Sequence, residues 1–296
     1  MNWNGCSIAM IGGDRREQQI ARCAADTGAT VRAFGFPWPE EGIAGVAHAA
    51  SPAEAIAGAD FLLMPIPGIA PDGAIFAPSS PIRIILDRET LATMRRPGHI
   101  ILGWADDRLR GHAEALGIGI HEYEWDRDLM LLRGPAIVEG LLAAIIANTD
   151  FTIHRATVTL VGQGTIGTLI TSTLLGLGAR VHVVARNPVQ RAAAYAAGAE
   201  PHDFDALPAL LAESDIVVSS IPTRIIGAEL IERLPPAALL VDVAAPPGGV
   251  DGDAAKALGR RYVWARGLGG RAPVTVGRSQ WSGIRTRIET LSETLP

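Results

Sequence analysis

The sequence has little cysteine, almost no lysine and few aromatic residues. Two cysteines in 296 residues, Cys6 and Cys23, are too few for a disulfide scaffold and lie too far apart in sequence for a metal cluster. Among the 26 basic residues, Lys256 is the single lysine, and the rest are arginine. Because Lys256 lies in a segment of helical character, chemistry that depends on a lysine is disfavoured.

The sequence also lacks long hydrophobic runs and a strong excess of one charge. No run of about 18 apolar residues is free of charge, so we expect no membrane span. The first residues contain no basic segment before an apolar one, which predicts no secretory signal and a cytoplasmic protein. A net charge of −5 gives no reason to expect binding to nucleic acid or to an anionic membrane.

A weak internal repeat organises the chain. Residues 8–13 form a short apolar run that ends in glycines, and residues 158–162 form a second one. Each is followed by a helical stretch and then by a strand pattern that starts at Gly28 or at Gly178. Apolar runs without alternation, separated by helical segments, are typical of buried parallel strands. Two further pairs of apolar segments continue the repeat, namely 59–67 with 214–222 and 99–102 with 238–241.

The repeat predicts an α/β protein with two Rossmann-like lobes, each with a parallel sheet, joined by a long buried helix. We assign residues 1–134 to a lobe on the substrate side and residues 151–278 to an NADP-binding Rossmann domain. Between them, residues 135–150 predict a connector helix that starts at Pro135 and is buried because it is apolar nearly all round. The last segment, residues 279–296, has helical spacing and is expected to pack back onto the first lobe.

Only the second lobe contains the full glycine fingerprint of a dinucleotide site. The motif follows a predicted strand and opens a predicted helix, which is the context that it needs. Gly162 makes the tight turn, Gly164 lets the backbone approach a pyrophosphate, and Gly167 allows close packing of helix and strand. A glycine-rich turn kept only for packing is the alternative. The predicted phosphate-binding residues at this helix N-terminus are Gly162, Gln163, Gly164, Thr165, Ile166 and Gly167.

The residues after the second strand of this lobe indicate NADP as the cofactor. NAD sites usually place an acidic residue there to bind the ribose hydroxyls. Residues 183–188 contain no acid, and Arg186 is placed to receive a 2′-phosphate, with Asn187 beside it and Arg191 within the next helical turn. An arginine that is only solvated is the alternative. We expect the nicotinamide end of the site to be lined by Ser220, Ile221, Pro222 and Ala244.

The first lobe has Asp14 where the fingerprint needs its second glycine. A pyrophosphate would meet a side chain and a negative charge at this turn, so we assign the lobe to the substrate and predict Asp14 and Arg15 as substrate-binding residues. Arg15 and Arg16 stand at a predicted helix start and are candidates for binding a carboxylate. Exposed arginines that are merely solvated are the alternative.

Five segments occur together for which a Rossmann fold gives no general reason. They are residues 11–14, 138–140, 149–154, 220–223 and 241–251. On these segments the chain resembles the family of the dipicolinate synthase A subunit over essentially its full length. The resemblance implies NADP-dependent oxidation of dihydrodipicolinate, from the lysine-branch aldol product, to dipicolinate, which accumulates in bacterial spores. It also implies a flavoprotein-like B subunit of the same enzyme, here called the second subunit, as a partner.

The sequence departs from the pattern of this family at three places. The family has a Ser-Arg pair where this chain has Ala245 and Pro246. At residues 272–275 the family has Ala-Pro-Lys-Thr, and this chain has Ala-Pro-Val-Thr. At residues 136–137 the family has Pro-Thr, and this chain has Ala-Ile. Two cations and a hydroxyl that could meet a dicarboxylate are therefore missing. Arginine binds carboxylates through a two-pronged hydrogen bond. We predict as substitutes Arg224, Arg266 and Arg271.

Three residues are candidates for the proton transfer that accompanies hydride transfer. Glu139 is the only charge in the apolar connector helix, where burial is expected to raise its pKa; stabilisation by the helix dipole is the alternative. His154 lies at the lobe boundary, where it either exchanges a proton or bonds the backbone. Asp242 ends a predicted strand, where it either faces the substrate or caps a turn.

Two other functions are also compatible with the sequence. A non-catalytic NADP-binding sensor or scaffold, or a two-lobed dehydrogenase that acts on another small carboxylic acid, are the alternatives. Shikimate-type dehydrogenases are disfavoured because they use a lysine in the first lobe. A homodimer is the expected oligomer. We predict no metal site, because the other histidines show no ligand spacing: His48, His99, His112, His121, His182 and His202.

Overall fold

The computed structural model describes residues 3–293. The chain forms two compact units. One unit extends to Arg133 and resumes at Ala272, and the other is Gly134–Arg271. Each unit is built on its own six-stranded sheet, in which every strand pair is parallel. The predicted fold class of two Rossmann-like lobes with parallel sheets is confirmed.

The first unit has the strand order β3-β2-β1-β4-β5-β6. Its strands are β1 (Ser7–Ile11), β2 (Thr30–Phe34), β3 (Val46–His48), β4 (Phe61–Leu63), β5 (Gly98–Leu102) and β6 (Ile118–Glu122). Its helices are α1 (Arg15–Ala25), α2 (Pro52–Ile56), α3 (Arg88–Ala92), α4 (Asp107–Leu116) and, at the end of the chain, α11 (Pro273–Glu293). Two clusters of buried apolar side chains cover the two faces of this sheet.

The second unit repeats this order as β12-β11-β10-β7-β8-β9. Its strands are β7 (Thr157–Val161), β8 (Arg180–Val184), β9 (Glu200–His202), β10 (Ile216–Ser219), β11 (Leu239–Asp242) and β12 (Arg261–Trp264). Its helices are α6 (Thr165–Gly176), α7 (Pro188–Ala196), α8 (Leu207–Glu213), α9 (Ala228–Glu232) and α10 (Gly252–Ala257). Since both units share the order 3-2-1-4-5-6, the repeat in the sequence is a repeat of topology.

The connector helix, α5, is longer than predicted. It spans Arg127–Ala147 and contains Pro135, so the predicted start at Pro135 is wrong. By length and composition alone α5 qualifies as a membrane-spanning helix, with a mean hydropathy of 1.9 over a window that is 44% buried. Core helices of soluble proteins can have the same length and composition. The predicted burial of residues 135–150 is also only partly met, because Ile146 is exposed.

The last helix, α11, packs along α1 in the first unit. Gly277 permits the close approach, because a Cβ atom there would lie 2.7 Å from the carbonyl oxygen of Arg16. Trp281, Ile284 and Ile288 of α11 join the same buried cluster as the apolar face of α1. The helix begins at Pro273, ahead of the predicted start at residue 279, and the predicted residues 294–296 lie outside the described residues.

Candidate dinucleotide site

The glycine turn of the second unit lies where its strand order reverses. β7 is paired with β8 on one side and with β10 on the other, and the chain leaves β7 and β10 at the same edge of the sheet. Gly162 follows β7, and Ser220 follows β10. Open parallel sheets bind ligands at such a reversal, outside the carboxyl ends of the strands.

The three fingerprint glycines have different surroundings. A Cβ atom at Gly162 would lie 2.5 Å from Ser220 Oγ, and one at Gly167 would lie 2.3 Å from the carbonyl oxygen of Gly162. Both glycines are therefore required by packing. At Gly164, a Cβ atom would meet nothing within 4 Å. Gly164 thus leaves open space at the turn, which is what a bound pyrophosphate needs.

The first turn of α6 is free to bind an anion. Its N-cap residue is Gly164, and within residues 3–293 no side chain caps this helix N-terminus by a hydrogen bond. Gln163 is buried below the turn, where its Oε1 accepts a hydrogen bond from Thr171 Oγ1 at 2.8 Å and its Nε2 has no partner within residues 3–293. Thr165 and Ile166 form the half-buried first residues of the helix. This arrangement fits the phosphates of a dinucleotide.

Arg186 is a free cation beyond the end of β8. Its side chain is exposed and has no hydrogen-bond or ion-pair partner among residues 3–293. Arg191 holds the loop below it, because its Nη1 donates hydrogen bonds of 2.8 Å to the carbonyl oxygens of Ala185 and Arg186. Asn187 caps α7 by accepting a hydrogen bond from the N–H of Val189 at 2.8 Å. Arg191 and Asn187 therefore position the loop, and Arg186 is the group available to a 2′-phosphate.

The residues predicted to line the nicotinamide end follow neighbouring strands. Ser220 continues from β10, where its N–H donates to the Val161 carbonyl oxygen at 2.9 Å and its Oγ donates to the Gly162 carbonyl oxygen at 3.2 Å. Ile221 is half-buried, and Pro222 is exposed. Ala244 follows the adjacent strand β11 and is buried. All four thus lie at the carboxyl edge of the sheet, as the prediction requires.

Asp242 occupies a structural position instead of the predicted catalytic one. Its side chain is fully buried at the end of β11. Oδ1 accepts a hydrogen bond from the N–H of Ala244 at 2.9 Å, and Oδ2 accepts from Gly249 at 2.7 Å and from Val250 at 3.1 Å. Because backbone N–H groups occupy both oxygens, this carboxylate holds the loop after β11 in shape.

His154 lies at the wrong edge of the sheet for catalysis. It precedes β7, and its Nδ1 lies 3.3 Å from the carbonyl oxygen of Leu177, which precedes β8. A strand of five residues separates this edge from the glycine turn, which corresponds to about 16 Å. The predicted catalytic role of His154 is therefore wrong, and the contact with Leu177 gives the residue a structural role.

Glu139 is exposed, not buried as predicted. Its side chain is 61% exposed and forms an ion pair with Arg271. The predicted effect of burial on its pKa therefore has no basis in the structure. Gly134 and Gly140 let α5 pack closely against Leu169 of α6 and against Leu268. This packing places α5 beside the helix that follows the glycine turn. Glu139 is thus an accessible carboxylate on the helix that supports the glycine turn.

The three arginines predicted to bind a substrate carboxylate differ in whether their guanidinium groups already have a carboxylate partner. Arg271 is paired with Glu139, and Arg224 lies 3.9 Å from a carboxylate oxygen of Asp251. Arg266 has no carboxylate partner among residues 3–293, and its guanidinium lies 5.1 Å from the ring centre of Trp264. Trp264 is itself held by a 3.1 Å hydrogen bond from its Nε1 to the carbonyl oxygen of Ala244. Arg266 is therefore the arginine best placed to take a new anion.

The equivalent turn of the first unit is closed. Gly13 donates to the carbonyl oxygen of Phe76, and a Cβ atom at Gly12 would lie 2.9 Å from that same oxygen. Asp14 caps α1 and is occupied by two side-chain hydrogen bonds of 2.9 Å from Arg16. Arg15 is exposed, without an ion pair in the described part of the chain. Arg15, not Asp14, is thus available to a substrate.

Glu17 is a residue of this turn that the sequence patterns do not single out. Its Oε2 accepts a hydrogen bond from the N–H of Asp14 at 2.7 Å, and its Oε1 has no partner among residues 3–293. Its side chain is 3% exposed, and burial raises the pKa of this carboxyl to about 7. The capping-box spacing from Asp14 to Glu17 is visible in the sequence, but the burial is not.

The fold and the open glycine turn define a protein of the dehydrogenase type, with two Rossmann units of which one is built for a nicotinamide dinucleotide. Residues 143–257 match the family model described as shikimate / quinate 5-dehydrogenase. The transhydrogenase from Sinorhizobium meliloti shares the fold, with a TM-score of 0.70 and 16% identity over 97% of this chain and 94% of that one.

Residues 7–124 match the family model described as the N-terminal domain of the dipicolinate synthase A subunit. The A subunit of dipicolinate synthase from Bacillus subtilis is 29% identical over 278 residues, which is 93% of each chain. The crystal structure of the corresponding protein from Bacillus halodurans superposes with a TM-score of 0.89 at 25% identity and covers both chains fully. The predicted resemblance to the family of the dipicolinate synthase A subunit is thereby confirmed.

Proposed function

We propose that this chain is an NADP-dependent oxidoreductase that converts dihydrodipicolinate to dipicolinate. The observation that supports this best is the combination of open space at Gly164 with the unpaired Arg186 beyond β8. Pyrophosphate needs the first feature, and a 2′-phosphate needs the second. The resemblance to the dipicolinate synthase A subunit supplies the substrate class.

The residues of the second unit would hold the cofactor at three points. The N–H groups at the start of α6 would bind the pyrophosphate, and the Arg186 guanidinium would bind the 2′-phosphate. Ser220, Ile221, Pro222 and Ala244 would line the nicotinamide. When bound, NADP supplies the hydride acceptor for the reaction.

The oxidation removes one hydride and one proton from the substrate, so the protein must bind the dicarboxylate and take up the proton. Arg266 is proposed to bind a carboxylate of the substrate, because it has no carboxylate partner in residues 3–293. Glu139 is proposed to take the proton, since it is the accessible carboxylate among the three predicted candidates. Its pairing with Arg271 keeps the carboxylate in place for this step.

The proposal includes a partner and a cellular setting. The relative from Bacillus subtilis is named the A subunit of dipicolinate synthase, which implies that this enzyme has another subunit. We propose that this chain also works with the flavoprotein-like second subunit, as a cytoplasmic homodimer whose product enters spores.

Replacing Arg186 tests the choice of NADP. We expect Arg186→Ala to weaken NADP binding about 10- to 100-fold and to leave NAD binding unchanged, because a charge-assisted hydrogen bond contributes about 1.5–3 kcal/mol. Calorimetric titration with both dinucleotides measures this. Arg233→Ala, at an exposed arginine after α9, is the matched control and should bind both as the wild type does. Equal loss of NADP and NAD affinity in Arg186→Ala, or none, contradicts the proposal.

A further inference from the structure

Three metal-ligating side chains converge on one face of β8 and β9 in the second unit. His182 and Glu200 are register partners on these parallel strands. His202 lies two residues after Glu200, and residues two apart in a strand point to the same face. The ligand atoms of all three residues lie within 4.8 Å of one another. His182 lies about 20 positions before the other two residues in the chain, which is why sequence spacing predicted no metal.

Two of the distances between these atoms match those of ligands around one small cation. His182 Nδ1 lies 3.1 Å from His202 Nε2 and 3.3 Å from Glu200 Oε2. Ligand atoms of a tetrahedral zinc ion, with bonds of about 2.0–2.1 Å, lie roughly 3.3 Å apart. Two imidazoles and one carboxylate are also a ligand set that zinc uses when its fourth position is left to water.

Nδ1 of His182 has two polar neighbours in this cluster. A neutral imidazole nitrogen offers either one hydrogen or one lone pair. Nδ1 of His182 therefore pairs with one neighbour at a time: it donates to Glu200 Oε2, or it shares one hydrogen with His202 Nε2. A cation at the point where the three atoms converge accepts a lone pair from each.

We propose that His182, Glu200 and His202 bind one first-row divalent cation of the zinc type. The site connects β8 to β9, a strand of only three residues that forms the edge of the sheet. Binding therefore fastens this edge strand. The proposal does not depend on the oxidoreductase activity, because its test measures binding and stability.

The chain contains a natural comparison for this site in its first unit. His99 Nδ1 and His121 Nε2, on β5 and β6, lie 3.2 Å apart, nearly the same distance as in the pair on β8 and β9. In residues 3–293, His182, Glu200 and His202 form the one group of three such ligands. The His99–His121 pair thus has the two imidazoles without the carboxylate.

Titration of the full chain with Zn²⁺ in competition with a chromogenic chelator tests the proposal. We expect one equivalent to bind to the wild type, and the affinity to fall about tenfold or more in Glu200→Gln and in His202→Gln. His121→Gln should bind as the wild type does. Glu200 is 73% exposed on its side chain, so Glu200→Gln tests the site without disturbing the core.

Thermal unfolding with and without Zn²⁺ provides a second measurement. Zn²⁺ should raise the Tm of the wild type and of His121→Gln, but not that of Glu200→Gln. No uptake by the wild type at micromolar Zn²⁺ overturns the proposal. Equal affinity of the wild type and Glu200→Gln, or a loss in His121→Gln alone, also overturns it.

Discussion

Glu17 is a buried carboxyl with one oxygen occupied and one without a partner in the described residues. Its neighbour Arg16 directs its guanidinium to Asp14, so that Glu17 has no hydrogen-bonded cation of its own. Burial therefore favours the protonated form in the folded chain, and the pKa rises from 4.5 to about 7. In the unfolded chain the same carboxyl titrates at its ordinary value.

This difference makes stability depend on pH. Between about pH 4.5 and 7 the folded state holds a proton that the unfolded state has released, so stability falls as the pH rises through this range. We expect Glu17→Gln to remove this dependence, which amounts to about 2–3 kcal/mol between pH 4.5 and 8. Urea unfolding at a series of pH values measures it. The exposed control Glu114→Gln should keep the slope of the wild type, and an unchanged slope in Glu17→Gln contradicts the assignment.

At the residue scale, sequence reasoning succeeded where a motif fixes the backbone. The placement of Gly162, Gly164 and Gly167 in a strand–turn–helix frame could be predicted because the order of residues alone implies that geometry. The exposure of Glu139 and the position of His154 could not, because both depend on tertiary packing. An apolar helix does not reveal which of its sides is covered, and a histidine between two elements does not reveal the edge of the sheet it faces.

At the scale of elements, two glycines at the junction of β7 and α6 have different predicted roles: Gly167 is needed for packing, and Gly164 is needed for binding the cofactor. Gly167→Ala should lower the unfolding free energy by about 1–3 kcal/mol, because its Cβ atom would press on the Gly162 carbonyl oxygen. Gly164→Ala should change stability by less than about 1 kcal/mol but weaken NADP binding about tenfold or more, because the methyl group enters the space meant for phosphate. Thermal unfolding and NADP titration of both variants distinguish these roles. A destabilised Gly164→Ala that binds NADP normally contradicts them.

The elements themselves were predictable to different degrees. Long apolar strands such as β1, β7 and β10 stand out because they are buried on both faces. The short strands β3 and β9 did not stand out, since neither is an apolar run: their sequences are Val-Ala-His and Glu-Pro-His. The start of α5 was misplaced because proline often marks the first turn of a helix, whereas Pro135 lies inside this one.

At the scale of the whole molecule, two units with one topology have diverged at their first turn. In the second unit the turn after β7 is open at Gly164, and in the first unit the turn after β1 is closed by the Phe76 carbonyl and by Glu17. This difference is the reason for our proposal that the second unit binds the dinucleotide. It could be anticipated from Asp14 in the sequence, but the part played by Phe76 could not, because it comes from a distant loop.

Turnover with NADP is the most direct test of the proposed activity. The purified chain is given NADP and the lysine-branch aldol product that precedes dihydrodipicolinate, with and without the flavoprotein-like second subunit. The absorbances of NADPH and of the pyridine product are followed together. We predict that both signals rise at the same rate and that Glu139→Gln and Arg266→Ala reduce them without abolishing NADP binding. NADP binding with neither signal in either mixture contradicts the proposed activity and favours a cofactor-binding sensor or another substrate.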